Sequence, residues 1–209
     1  MEISQGLQYL HSREYMHRDI KPENILLDKD FHARICDFGT TKIQDLMITR
    51  TEIGTPMYMD PAVSEGKYTN KCDIYSLGLV FYFILAGHGL FDKCQTKGQL
   101  SRAREELFGN PEKLLKDMPV EKEIKDIVKN CLQKSELSRL DISQITEKLK
   151  TYIGKLSERK KHQEIKSTFM CTEENQIPDQ VTQQLIGLIA VKPEFQKKEV
   201  IEGFKKQIL

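Results

Sequence analysis

Residues 17–24 read His-Arg-Asp-Ile-Lys-Pro-Glu-Asn, an octet that sets an acid, a lysine and an amide within one short stretch. Asp19 can accept the proton of an attacking hydroxyl group, and Asn24, five residues later, can ligate a magnesium ion. Lys21 lies between them as a compact cation, suited to negative charge that develops on a transferred phosphoryl group. Because Pro22 lacks an N–H and has a fixed φ, we expect the octet to form a loop and not a helix.

A second motif, Asp-Phe-Gly at residues 37–39, begins thirteen residues after Asn24. Between the two motifs, Ile25–Leu27 and Ala33–Cys36 are predicted to form a β hairpin that turns at residues 28–30. In order and spacing, these motifs resemble the carboxy-terminal lobe of the eukaryotic-type protein kinase family, in its serine/threonine class. The resemblance implies a mainly α (α+β) fold with a short β hairpin and a helical tail.

The resemblance also assigns roles to individual side chains. Asp19 is implied as the catalytic base, Lys21 as a phosphate contact, and Asn24 and Asp37 as magnesium ligands. Leu26 would lie beneath the adenine ring, and Phe38 would pack on His17. The cofactors implied are therefore ATP and Mg²⁺.

Residues 40–58 are polar and poor in apolar side chains, as an activation segment should be. Within them, Gly-Thr-Pro at residues 54–56 resembles the substrate-docking loop of the family. By that resemblance Thr55 would bond the catalytic aspartate and lysine, and Lys21 in the catalytic loop indicates the serine/threonine version of the site.

Regulation is implied by the residues before and after the catalytic aspartate. Arg18 directly precedes it, which in the family accompanies control by phosphorylation of the activation segment. Thr51 lies three residues before Gly54, at the position of the main phosphorylated threonine, and Lys42 matches a second basic contact. A phosphate on Thr51 would gain charge-assisted hydrogen bonds there. The alternative is that Thr49 or no residue is used.

The chain departs from the family at residues 60–62, which read Asp-Pro-Ala where Ala-Pro-Glu is usual. The missing glutamate normally pairs with a buried arginine, which Arg139 matches here. Removing one partner of a buried ion pair costs about 3–5 kcal/mol. We therefore expect either that Asp60 or Glu65 replaces the partner, or that Ala62→Glu stabilises the lobe by about 1–3 kcal/mol.

The apolar segment 70–87 predicts a buried central helix, with Asn70 as its N-cap and Gly87 as its terminator. Asp73 matches the family aspartate that holds the backbone of the catalytic loop. Tyr75 occupies a position where tryptophan is commoner. Further helices are predicted at residues 2–12, 98–108, 121–133 and 142–152.

Substrate choice is implied by Glu23, which resembles a position that meets an arginine upstream of the target hydroxyl in many relatives. In relatives that strongly prefer basic substrates, a second acidic residue on the central helix adds to this contact with the arginine. Phe83 occupies that position here. We expect a mild preference for one upstream basic residue.

Composition limits the remaining possibilities. The formal net charge is +1 among 209 residues, which gives no general attraction to nucleic acid or anionic membrane. Five cysteines without Cys-x-x-Cys spacing indicate reduced thiols. The longest apolar run is too short for a membrane span, and no signal peptide is visible. We expect a cytoplasmic protein.

Three segments are predicted: a kinase carboxy-terminal lobe (residues 1–153), a charged linker or solvated helix (154–175), and a helical tail (176–209) that packs back or binds a protein partner. The glycine-rich loop and strand lysine of the family have no counterpart among these residues. We expect a fragment of a serine/threonine protein kinase, a transferase with ATP and protein substrates. The alternative is a non-catalytic lobe that serves as an interaction or scaffold protein.

Overall fold

A computed structural model of the chain describes residues 1–43, 56–66 and 68–169. The helices are α1 (Glu2–Ser12), α2 (Pro61–Glu65), α3 (Lys71–Ala86), α4 (Lys97–Gly109), α5 (Pro111–Leu115), α6 (Lys122–Cys131) and α7 (Ile142–Phe169). The strands are β1 (Tyr15–Met16), β2 (Ile25–Leu27), β3 (Ala33–Ile35) and β4 (Lys42–Ile43). The fold is mainly helical with short antiparallel strand pairs, which confirms the predicted class.

The predicted hairpin is present as β2 and β3, which pair antiparallel with Leu26 opposite Arg34. Its turn is closed by backbone hydrogen bonds of Asp28 with Phe31 and His32 at 2.9 and 3.0 Å. A second pair, β1 with β4, sets Met16 opposite Lys42. These two pairs flank the octet, so both ends of the catalytic loop leave from fixed strands.

Helix α3 lies at the centre of the core, as predicted, with eleven of its residues buried. Gly87 ends it in a left-handed conformation (φ 73°). Asn70 occupies the N-cap position, but its side chain makes no capping hydrogen bond. Helix α6 crosses α3 closely at Gly78, where an added Cβ would lie 2.6 Å from the Cβ of Cys131. A side chain at this position would force the two helices apart.

Helix α7 extends beyond the helical pattern at residues 142–152 into the segment predicted as a charged linker or solvated helix, and there it is a helix. It continues through Gly154 as far as Phe169, 28 residues in all. The reason is that its apolar face does not end at Tyr152, since Leu156 one turn later is also buried. A single glycine inside a helix costs only about 1 kcal/mol relative to alanine, so this packing is enough to carry the helix across it.

The predicted tail, residues 176–209, lies outside the described residues. Among the helices that are described, none combines the length and the hydrophobicity needed to cross a bilayer.

Candidate active site

Asp19, Lys21 and Asn24 form one cluster. The Nζ of Lys21 lies 2.8 Å from the Oδ2 of Asp19. The amide of Asn24 donates to the same Oδ2 at 2.9 Å and to the backbone oxygen of Asp19 at 2.8 Å. This closeness follows from a short 3-10 turn, Pro22–Asn24, that starts at the proline and folds the chain back. The turn therefore delivers two donors to one buried carboxylate.

His17 links this loop to the Asp-Phe-Gly motif. Its Nδ1 accepts a hydrogen bond from the backbone N–H of Asp19 at 3.3 Å. The proton must then be on Nε2, which donates to the backbone oxygen of Cys36 at 3.0 Å. The ring of Phe38 meets the imidazole edge-on, with centroids 5.4 Å apart. The predicted contact between Phe38 and His17 is confirmed.

Arg18 is held in a strained backbone conformation. Its φ of 67° lies in the left-handed region, which is costly for a residue with a side chain. The guanidinium donates to the backbone oxygen of Thr40, with 2.7 Å for Nε, and to the hydroxyl of Tyr68 at 3.1 Å. The bonds to Thr40 join the catalytic loop, residues 17–24, to the start of the activation segment.

Asp73 is the residue that fixes this conformation. It is fully buried at the first turn of α3, and its two oxygens accept the backbone N–H groups of His17 at 2.9 Å and Arg18 at 2.7 Å. The Nε2 of His11 lies 2.9 Å from Oδ2 as well. The predicted anchoring of the catalytic loop by Asp73 is confirmed.

Asp37 and Leu26 lie on the exposed side of the site. Asp37 also adopts a left-handed conformation, with φ 61°, and its Oδ1 accepts the N–H of Gly39 at 3.3 Å. Leu26 is 41% exposed. In the described part of the chain, no group of three His, Cys, Asp or Glu side chains could hold a metal ion by itself.

A magnesium ion bound with substrate phosphates needs only one or two protein ligands. The residues present fit that requirement. The nitrogen of Asn24 is used on Asp19, so its amide oxygen is the atom that remains for a cation. Asp37 adds a solvent-exposed carboxylate. Oxygen ligands of these two kinds suit Mg²⁺.

The Gly-Thr-Pro motif at residues 54–56 leads into residues 56–60, which are called the docking loop from here on. Side chains from several elements hold this loop. Ser76 of α3 donates to the backbone oxygen of Tyr58 at 2.8 Å. Arg104 of α4 donates to the backbone oxygens of Pro56 and Met59, both at 2.6 Å. Burial raises the pKa of Tyr58, and the charge of Glu23 adds to that effect. Because Asp73 and Ser76, which hold the two loops, lie three residues apart on α3, the docking loop lies close to the catalytic loop.

Arg139 has a partner, which decides between the two expectations for residues 60–62. Its Nη1 pairs with the Oδ2 of Asp60, and both side chains are buried. The guanidinium also donates to the backbone oxygens of Gln133, Lys71 and Lys134 at 2.8, 3.0 and 3.2 Å. Asp60 thus replaces the usual glutamate from two positions earlier. The premise that Arg139 lacks a carboxylate partner is therefore wrong, and we no longer expect Ala62→Glu to stabilise the native lobe.

The remaining candidates are only partly placed. Glu23 lies exposed on the 3-10 turn, and Lys42 lies in β4. Thr49, Thr51 and Thr55 fall outside the described residues. Sequence reasoning missed Arg104 and Tyr68, both of which bind backbone or side-chain atoms next to the site. No motif marks either residue, so no signal in this sequence would have found them.

Comparison with known proteins identifies the family. Residues 1–153 match the protein kinase domain. Over 104 residues, or 48% of this chain, the chain is 39% identical to the dual serine/threonine and tyrosine protein kinase of Gallus gallus and 38% identical to those of Danio rerio and Macaca mulatta. The matched segment spans only 11% of the Gallus gallus and Macaca mulatta proteins and 12% of the Danio rerio protein. The chain belongs to the protein kinase family.

Proposed function

We propose that the chain carries the catalytic lobe of a protein kinase that transfers the γ-phosphoryl group of ATP to serine or threonine hydroxyls in proteins. The observation that supports this most strongly is the cluster in which Lys21 and Asn24 both contact the Oδ2 of Asp19. Phosphoryl transfer requires positioning and charge neutralisation more than covalent chemistry by the protein.

In this proposal Asp19 accepts the proton of the attacking hydroxyl, and Lys21 neutralises charge on the transferred group. Asn24 holds Asp19 through its nitrogen, and its oxygen would bind Mg²⁺ together with the carboxylate of Asp37. Held by these two side chains, Mg²⁺ would supply positive charge that neutralises the phosphates. Leu26 offers an exposed apolar surface for the adenine ring.

Regulation and peptide choice are part of the same proposal. Phosphorylated Thr51 would recruit Arg18 and Lys42, while Thr55 would bond the catalytic loop. Arg18 already donates to the carbonyl of Thr40, so it stands at the start of the activation segment. Glu23 would contact one basic residue upstream of the target hydroxyl.

Dual specificity is a second candidate, favoured by the names of the relatives, which are dual serine/threonine and tyrosine kinases. Lys21 at its position in the catalytic loop favours serine and threonine. The non-catalytic alternative remains the rival class. The buried Asp19 cluster argues against it, because a binding surface gains nothing from burying these polar groups.

The test compares the chain with a fusion of the chain to the amino-terminal lobe of the Gallus gallus relative. We expect negligible transfer by residues 1–209 alone and clear transfer by the fusion, with products resolved as phosphoserine, phosphothreonine or phosphotyrosine. Asp19→Asn should reduce kcat of the fusion by about 10²–10⁴-fold, the usual contribution of a general base.

Asp30→Asn, an exposed aspartate of the hairpin turn, serves as the matched control and should change little. A fusion that binds ATP and folds but transfers nothing would favour the non-catalytic alternative. Phosphotyrosine among the products would favour dual specificity.

A further inference from the structure

The docking loop has an anchor on α4 that lies outside the catalytic cluster. One atom of Arg104, Nη2, donates to the backbone oxygens of both Pro56 and Met59 at 2.6 Å. Ser76 holds the oxygen of Tyr58 at 2.8 Å. Three of the loop's backbone oxygens therefore accept hydrogen bonds from side chains, and Arg104 supplies two of these.

Arg104 is itself fixed from several directions. Its guanidinium carbon lies 5.8 Å from the ring centroid of Phe91, within the range of a cation–π contact. Its charge also acts on the buried hydroxyl of Tyr75, since it lowers the pKa of that group against the larger raising effect of burial. In the described part of the chain, neither the Nε of Arg104 nor this hydroxyl has a hydrogen-bond partner.

The second anchor of the docking loop is Arg139, whose guanidinium packs on the ring of Tyr75. The guanidinium of Arg139 lies over the Tyr75 ring at 5.1 Å from its centroid, and the same guanidinium pairs with Asp60 at the end of the loop. Arg139 thus holds the end of the docking loop at Asp60, and Arg104 holds the carbonyls of Pro56 and Met59. The loop is held at both ends by arginine side chains.

We propose that Arg104 is a positioning residue for protein substrates, which it serves by clamping the docking loop through the carbonyls of Pro56 and Met59. This inference rests on the proposed kinase function. Arg104 does not touch the Asp19 cluster in the structure, so it sets the affinity for the peptide and not the rate of phosphoryl transfer. An arginine suits this role because its charge is permanent and its planar donors are rigid.

The clamp itself is tested on the full chain without any assay of activity. Hydroxyl-radical footprinting measures how fast Tyr58 and Tyr82 are modified, and the two side chains are equally exposed at 8%. In Arg104→Met, Tyr58 should react about threefold faster or more while Tyr82 in α3 is unchanged, because only the loop opens. Arg102→Met, an exposed arginine of the same helix, should change neither rate.

Two results of the footprinting would overturn the clamp. An unchanged Tyr58 rate in Arg104→Met means that the loop does not depend on this side chain. Equal acceleration of Tyr58 and Tyr82 means that Arg104 supports the whole lobe and has no specific effect on the loop.

The role in substrate binding is tested on the active fusion. Arg104→Met should raise KM for a serine or threonine peptide about tenfold, while kcat and the KM for ATP change by no more than about twofold. This pattern is expected when a variant weakens binding of the bound substrate and of the transition state equally. Arg104→Lys should recover part of the loss, since an ammonium can still donate to both carbonyls. A fall in kcat without a change in peptide KM contradicts the role. An inactive native fusion contradicts the proposed function and the substrate role with it, whereas footprinting alone decides the clamp.

Discussion

The catalytic loop and the docking loop lie close together but are held by opposite charges. The catalytic loop, residues 17–24, is held by the carboxylate of Asp73, which accepts backbone N–H groups. The docking loop is held by the guanidinium groups of Arg104 and Arg139. Arg104 donates to its backbone oxygens, and Arg139 pairs with its last side chain, Asp60.

This difference follows from which backbone groups each loop turns towards the core. Buried N–H and C=O groups must find partners, and a charged partner gives a shorter and stronger hydrogen bond than a neutral one. The backbone N–H groups of His17 and Arg18 are donors, so an acid, Asp73, satisfies them. The carbonyls of Pro56 and Met59 are acceptors, so Arg104 satisfies them. At these two places the sign of the side-chain charge matches the kind of backbone group that it binds.

The largest effect that tests this comparison is expected for Asp60→Ala. The variant leaves the guanidinium of Arg139 buried without its carboxylate, at a cost of about 3–5 kcal/mol in the free energy of unfolding. Urea denaturation measures this value. Asp141→Ala removes a partner of Lys71 that is 65% exposed, and should cost no more than about 1 kcal/mol. Similar values for the two variants would contradict a buried role for the Asp60 pair.

A rescue sharpens the same measurement. Adding Ala62→Glu to Asp60→Ala should restore about 1–3 kcal/mol if a carboxylate at either position can reach Arg139. In the native background Ala62→Glu should bring no gain. The double-mutant cycle isolates the coupling between the two positions.

A smaller loss is expected for Asp73→Asn. The amide keeps one acceptor oxygen but turns an NH₂ group towards backbone donors, so about 1.5–3 kcal/mol of unfolding free energy should be lost. Asp126→Asn, at a side chain 42% exposed in α6, is the control and should change stability by less than about 1 kcal/mol. If Asp73→Asn lowered the free energy of unfolding more than Asp60→Ala does, the expectation that Asp60 is the more important anchor would be wrong.

The smallest effect is expected at Tyr75, and it depends on pH. Burial raises the pKa of Tyr75 from 10.0 to about 12. The unfolded chain then loses this proton first, so the folded state loses stability as pH rises from 10 to 12. Tyr75→Phe should remove on the order of 1 kcal/mol of the decline between pH 8 and 11. Tyr9→Phe, at a ring 62% exposed, should leave the decline unchanged. If the free energy of unfolding declined equally with pH in both variants, groups other than Tyr75 would cause the loss of stability at alkaline pH.

The sequence predicted the catalytic loop and the hairpin because both are local. Short-range motifs and turn residues fix them within a few residues of chain. The anchor on Asp73 was predictable because it belongs to a motif of the family. Asp60 was only one of two candidates for Arg139, since Asp60 and Glu65 both lie near Ala62 in sequence and only packing distinguishes them.

Arg104 could not be predicted. It shares α4 with Arg102, and nothing in the local sequence separates the exposed arginine from the one that reaches the docking loop. The sequence pattern after Gly154 does not distinguish a charged linker from a solvated helix for a related reason. The burial of Leu156 against the lobe, which favours the helix, is a tertiary effect.

The pairing of Arg139 with Asp60 also constrains the order in which the present sequence can have arisen. If the chain descends from a protein with the Ala-Pro-Glu pattern usual in the family, two substitutions were required, at positions 60 and 62. If glutamate was lost first, the intermediate carried an unpaired buried guanidinium, at about 3–5 kcal/mol out of a total stability of about 5–15 kcal/mol. If aspartate was gained first, the intermediate held two carboxylates beside one cation and kept its ion pair throughout. Selection against unfolded intermediates therefore favours the route on which Asp60 appeared before the glutamate disappeared.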